Sequence, residues 1–325
     1  MRIQVWFLVA LSLASAQVPA TRPAAVRAAS TAPPDPARIA QLLETGRCPE
    51  ALPQAKKAYS LAVTPALKRR LGAGGVRCAM SLDRTSAAAD FIEMLNRDFP
   101  KDPEILYLTV HTYSDLSIHA SQALLFSHPG SYQVHELNAE SLETQGKWEE
   151  AAGEYRVILR ENPALPGIHY RLGRAILSKG ETPQTRVEAR KEFEEELRIN
   201  PSNAGAEFVL AELARQAENY PEAIERFTRA TKVDVRFADA YIGLGRSLLS
   251  TDKAAEALPP LEEAARLQPD NPTVHFMLSN AYRRAGRAAD ADREAEAHRV
   301  TSEKARQTTD DLKKAVNGQS GNRRP

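Results

Sequence analysis

At 325 residues the chain is longer than one ordinary globular domain, and its 43 basic and 42 acidic residues leave a formal charge of +1. That balance gives no global basic excess to attract a nucleic acid or an anionic membrane. Aromatic residues make up only 6% while Ala, Leu, Glu and Arg are frequent, which favours helix over sheet, and the two cysteines, Cys48 and Cys78, exclude a disulfide scaffold but allow one bond.

Residues 1–16 read as an export signal. Arg2 supplies the positive start, Val5–Leu13 the apolar segment and Ala14-Ser15-Ala16 the small-x-small cleavage pattern before Gln17. The apolar run is about half of the roughly 20 residues that span a bilayer, so no stable membrane insertion is expected after cleavage. Gln17 also occupies the place a lipid-anchored cysteine would take. The expected location is exported, either periplasmic or secreted. Residues 17–36 carry Pro19, Pro23, Pro33, Pro34 and Pro36 with no periodic apolar face, and read as a semi-extended linker.

From Ala37 the chain reads as helix after helix, with short polar breaks and no alternating strand pattern. Eight helical pairs are predicted, starting near residues 36, 67, 102, 132, 166, 204, 238 and 272. Over residues 204–271 the register is strict. Leu210 recurs as Leu244, Ala211 as Gly245, Ala223 as Ala257, Phe227 as Leu261 and Ala230 as Ala264, each step being 34 residues. Elsewhere the same pattern gives His169, Leu172, Gly173, Ala189, Phe193 and Pro201, then Ala139, Leu142, Gly146, Ala151, Tyr155 and Pro163, then Leu278, Ser279, Tyr282, Gly286 and Ala291. Small residues let helix backbones approach, bulky ones fill the gap to the next pair, and a proline ends the second helix.

This pattern resembles the tetratricopeptide repeat, Trp-x2-Leu-Gly-x2-Tyr followed by Ala-x3-Phe and Pro. The resemblance implies an all-α fold: an α-solenoid of about eight helix–turn–helix pairs in a right-handed superhelix. Residues 37–131 match it poorly, residues 132–287 well, and the unbroken run 288–316 reads as a long C-terminal helix capping the last apolar face. Residues 317–325 are expected to be a disordered tail. The four residues added between Gly180 and Ala189 predict a longer loop around Glu181–Arg186. Val235, in place of a proline, predicts a softer turn, and Pro259-Pro260 a bend or an open backbone bond in the second helix of the seventh pair.

No catalytic constellation emerges. The seven histidines (His111, His119, His128, His135, His169, His275, His298) form no His-x3-His pair and neighbour no cysteine at ligand spacing. His135, His169 and His275 occupy the slot of a large aromatic and read as packing residues. The run Leu71-Gly72-Ala73-Gly74-Gly75 lacks a following Lys-Ser/Thr, so no phosphate loop is expected. Neighbouring glutamates such as Glu149-Glu150 and Glu262-Glu263 point about 100° apart on a helix and do not converge on one atom. The chain is therefore read as a non-enzyme with no cofactor and no metal. Cys48 starts the second helix of the first pair and Cys78 lies late in the first helix of the second. Either one disulfide or two buried thiols fits.

Tetratricopeptide arrays receive a protein or peptide segment on the inner groove lined by their first helices. Carried over, the lining stripe is Tyr170, Arg174 and Leu177, then Phe208, Glu212 and Arg215, then Ile242, Arg246 and Leu249, then Phe276, Asn280 and Arg283. The fourth pair contributes an acidic end in Glu136, Glu140 and Glu143. The anchors Tyr170, Phe208, Ile242 and Phe276 are equally well explained as packing between first helices, whereas the arginines favour binding. The expected role is an exported scaffold or adaptor binding a protein or peptide. The alternative is a structural subunit of a cell-envelope assembly that docks through its ends or convex face.

Overall fold

The structure, a computed structural model, describes residues 33–321, with side chains to residue 314. The export signal, residues 17–32 of the linker and residues 322–325 lie outside the described residues. Among the described residues there are fifteen helices and no strand, and no helix is long and apolar enough to cross a membrane. The chain divides into two compact units between His119 and Ala120.

The first unit contains α1 (Pro36–Glu44), α2 (Cys48–Leu61), α3 (Pro65–Ser81), α4 (Thr85–Asp98) and the first part of α5 (Pro103–Ser127). Asp35 and Thr64 cap α1 and α3, each followed by a proline whose missing N–H is not needed in a first turn. The core is built from Ile39, Leu43, Tyr59, Leu71, Phe91, Ile92 and Leu95. Cys48 and Cys78 are disulfide-bonded in the structure, with Cα atoms 5.0 Å apart, tying the start of α2 to α3. The glycine run sits inside α3 and serves close packing: a Cβ on Gly72 would lie 2.5 Å from Leu95, and one on Gly75 2.7 Å from Phe91.

The expected third pair is instead the single 25-residue helix α5. After Pro103 no glycine or proline interrupts the run before Pro129-Gly130, so nothing ends the helix. Without a second helix to cover them, Leu106, Tyr107, Val110 and Tyr113 remain exposed.

The second unit holds five hairpins: α6 (Tyr132–Thr144) with α7 (Trp148–Glu161), α8 (Ile168–Lys179) with α9 (Pro183–Ile199), α10 (Ala204–Gln216) with α11 (Tyr220–Val233), α12 (Ala238–Ser250) with α13 (Ala254–Leu267), and α14 (Pro272–Arg284) with α15 (Ala288–Gly321). Each second helix also packs on the next first helix, so the apolar faces are shared along the unit as in an α-solenoid. The turns inside four of the five hairpins close alike, the α8–α9 turn at Gly180 being the exception. A left-handed residue (Gly146, Glu218, Asp252 or Gly286) lets the following N–H reach back to the carbonyl of Leu142, Ala214, Leu248 or Tyr282. Tyr155, Phe193, Phe227 and Leu261 are wholly buried, each burial stabilising by about 1.5–3 kcal/mol. Small residues face these large ones: a Cβ on Gly173 would lie 2.8 Å from Phe193, and one on Gly245 2.4 Å from Leu261.

Three local expectations change. The four extra residues lengthen α9 to 17 residues rather than the loop, because Thr182 forms a capping box with Thr185 and Pro183 opens the helix. The turn at Val235 is not softer. It carries the bonds Asp234 N to Ala230 O and Phe237 N to Asp234 O, matching those of the Pro269 turn, and Asp234 also accepts from Arg236 N. Residues 317–321, expected in a disordered tail, continue α15. α13 runs through Pro259 and Pro260; neither can donate, so the carbonyls of Ala255 and Glu256 lose their helical donors while Pro260 is buried in the core.

Candidate binding face of the first helices

α10, α12 and α14 touch in succession, so residues one repeat apart fall in rows across them. Arg174, Glu212, Arg246 and Asn280 form one such row; Tyr170, Phe208, Ile242 and Phe276 form another.

Most of the aromatic and aliphatic row is spent on packing. The Tyr170 ring lies 5.8 Å from Phe193, and its hydroxyl would sit 2.9 Å from a Cβ on Gly205, so a glycine at the start of α10 makes room for it. Phe208 stacks against Phe227 at 5.8 Å and Phe237 at 4.9 Å. Ile242 and Leu249 are buried, and Leu177 is half-buried against the core of α6 to α10. Phe276 differs: it is 57% exposed, with only the His298 ring 5.6 Å away.

The charged row divides in the same way. Glu212 and Arg215 pair at 2.7 Å, and that hydrogen bond raises the Arg215 pKa, so neither charge is free. On α6, Glu140 and Glu136 take Arg171 at 2.6 and 3.5 Å, and Glu143 accepts from the Tyr155 hydroxyl at 3.0 Å. The acidic end is thus internally engaged. Arg174 lies over the Tyr170 ring at 5.9 Å but has no ion pair among the described residues. Arg246 and Arg283 are exposed and make no ion pair among the described residues.

Four of the stripe residues come together. Arg246 and Leu249 from α12, with Phe276 and Asn280 from α14, line an open pocket of about 480 Å³, joined by Ser250, Thr273, Met277 and Arg284. Arg283 is not part of it. Arg284 is, held in place by the Leu249 carbonyl at 2.9 Å and by Asp252. The signal for Arg284 was present in the sequence, since the step from Phe276 through Asn280 continues at i+8 as readily as at i+7. Of this lining only Arg246 keeps a charge unpaired among the described residues, next to an exposed aromatic ring. That combination suits an acidic group carried beside an apolar one.

The tetratricopeptide repeat family model matches residues 114–166, 139–204, 186–234, 208–272 and 242–298, together more than half of the chain. The chain belongs to the tetratricopeptide repeat family. Tetratricopeptide proteins generally mediate protein–protein interaction and scaffolding, bind proteins or peptides, and are typically non-catalytic. Among curated proteins, the chain is 25% identical over 158 residues to anaphase-promoting complex subunit 3 of Schizosaccharomyces pombe, covering 49% of this chain and 22% of that protein. It is 31% identical over 121 residues to the CTR9 homolog of Arabidopsis thaliana, covering 36% and 11%. The chain thus spans about a fifth and a tenth of the length of these relatives. Similar solved structures include MamA (19% identity, 54% of this chain and 94% of that one, TM-score 0.48). YrrB, described as "a TPR protein with an unusual peptide-binding site", is similar at 17% identity, 56% and 92% coverage and a TM-score of 0.48.

Proposed function

We propose that this protein is an exported scaffold whose first helices bind a protein segment, with the pocket between α12 and α14 as the anchoring point. The observation that carries the reading is the unpaired Arg246 beside the exposed Phe276 in one open pocket. The segment it suits carries an acidic residue next to a bulky apolar one. Arg174, on the same row, extends the basic stripe toward α8. Export rests on the n-region, apolar run and cleavage pattern of residues 1–16.

The test uses the full chain in its native cell. A photo-crosslinker at Asn280 captures the partner, and its affinity is then measured for wild type and for Arg174→Glu with Arg246→Glu. At least a tenfold weaker Kd is expected, with unchanged helical circular dichroism. Equal affinity, or capture only through α15, would remove the assignment. N-terminal sequencing of the native protein is expected to begin at Gln17; a chain that starts at Met1 rules out cleavage.

A further inference from the structure

The 34-residue register places one side chain of each first helix opposite one of its second helix. On the first helices the slot is filled by His135, His169, Glu207, Tyr241 and His275. On the second helices it is filled by Glu154, Glu192, Arg226, Pro260 and Glu294. Four of the five hairpins therefore carry a polar bridge at the same place. His135 Nδ1 lies 2.6 Å from Glu154 Oε2, His169 Nδ1 2.7 Å from Glu192 Oε2, and His275 Nδ1 2.7 Å from Glu294 Oε2. In the α10–α11 hairpin the charges are exchanged, and Arg226 donates to Glu207 at 3.1 Å.

The histidines are not simply packing residues. In two of them the second ring nitrogen faces a carbonyl as well: His169 Nε2 is 3.1 Å from Pro163 O, and His275 Nε2 is 2.9 Å from Pro269 O. A carbonyl and an ionised carboxylate can only accept, and a neutral imidazole has one N–H. Both bonds are made together only by the imidazolium form. The charged groups acting on His275 are Glu294 from α15 and Asp270 from the turn before α14; no side chain of α12 or α13 pairs with it. Burial works against the charge of His275, but the bonds to Glu294 and the Pro269 carbonyl outweigh it and raise the pKa above the ordinary histidine value. On His169 act Glu192 and, more remotely, Glu195, both from α9, with Glu195 itself held by Arg198. Glu154 of α7 is the partner of His135.

We propose that the His275–Glu294 bridge is a proton-dependent clamp that holds α14 to α15, whereas Arg226 closes the same slot of α10–α11 without a histidine proton. The sign follows from the raised value at His275. The clamp's contribution is complete below the unfolded histidine pKa of about 6.5 and is lost as pH climbs through the higher folded value. The α14–α15 hairpin supplies Thr273, Phe276, Met277 and Asn280 to the pocket, so its opening also reaches that side. The inference stands without the binding reading, because it concerns the hairpins alone.

Amide hydrogen exchange of the full chain at pH 6.0 and pH 8.5, corrected for intrinsic exchange, tests it. Protection in α14–α15 is expected to fall at the higher pH, and in α10–α11 to stay constant. His298, also on α15, bonds the Pro272 carbonyl outside this slot, so His275→Gln separates the two: it should abolish the drop in α14–α15. If that variant fails to fold, assigned ring resonances of the wild type decide. Glu294→Gln is then expected to move the His275 titration down. A His275 ring that titrates at or below 6.5, or equal loss of protection in all hairpins, overturns the proposal.

Discussion

Glu196 offers the sharpest test of how the array tolerates an irregular turn. In the other second helices of the well-matched region its slot holds Ile158, Ala230 and Ala264, all buried and apolar. Glu196 is equally buried, at 0% exposure, and has no basic partner among the described residues. Its carboxylate instead accepts from the Gly167 N–H at 3.0 and 2.9 Å, from Asn203 Nδ2 at 3.0 Å and from Tyr170 N at 3.4 Å. The turn that ends at Gly167 explains why. It runs from Asn162 to Gly167, two residues longer than the turns before α10, α12 and α14, and Gly167 takes φ +89° with no side-chain cap for α8. The first N–H groups of α8 therefore point at α9, and a carboxylate at the N-terminus of a helix is the acceptor that suits them.

Replacing Glu196 with Ala removes hydrogen bonds to a charged group, each worth about 1.5–3 kcal/mol, and leaves the part-buried Gly167 N–H without its carboxylate acceptor, at a further cost of up to about 1–3 kcal/mol. Relief of carboxylate desolvation works in the opposite direction. A net loss of about 2–4 kcal/mol is expected in urea unfolding followed by circular dichroism. Glu196→Gln keeps the shape but turns one acceptor into a donor facing donors, and is expected to cost about half as much. Asn203→Ala combined with Glu196→Ala should show a coupling of at least 0.5 kcal/mol. A Glu196→Ala protein within 0.5 kcal/mol of wild type would mean that water, not the carboxylate, satisfies the start of α8.

Much of the second unit was legible because its signals are local and repeat at one period. The step from Phe227 to Leu261 already implies two equivalent ridges, and Gly173 or Gly245 opposite a large residue implies close helices. The period misleads where local chemistry departs from it. Extended into residues 103–127 it predicts a hairpin that no breaker supports, and the helix is continuous. Counting four inserted residues could not say where they go; Thr182 followed by Pro183, a cap and a first-turn proline, could have. The face of α12 and α14 was legible in outline, since stripes follow from spacing. Which charges stay free was not. Glu212 neutralises Arg215 along its own helix, whereas Arg171 reaches Glu140 on another hairpin, and only the fold shows that Arg246 has no ion pair among the described residues. The histidine slot was visible too, but its glutamates lie 19 or 23 residues away and meet it only when the hairpin closes.

Two further outcomes follow from packing and covalent geometry. Intact mass of the protein from an oxidising compartment is expected to rise by two hydrogens on reduction. Replacing Cys48 and Cys78 with Ser should lower the stability of the first unit by roughly 3–4 kcal/mol, given a separation of 30 residues; two free thiols in the exported protein refute the bond. Gly243→Ala and Gly153→Ala should move stability in opposite directions, although both lie within helices and both add one methyl group. A Cβ on Gly243 would sit 2.4 Å from the ring of Phe227, which is wholly buried and already in contact with Phe208, so it has nowhere to turn. Overpacking there is expected to cost about 1–3 kcal/mol. A Cβ on Gly153 meets nothing within 4 Å, and the gain in helix propensity is about 0.5–1 kcal/mol. Urea midpoints of the two variants decide between propensity and packing. If both rise, the close approach of α12 to the Phe227 ring is not what holds these hairpins in register.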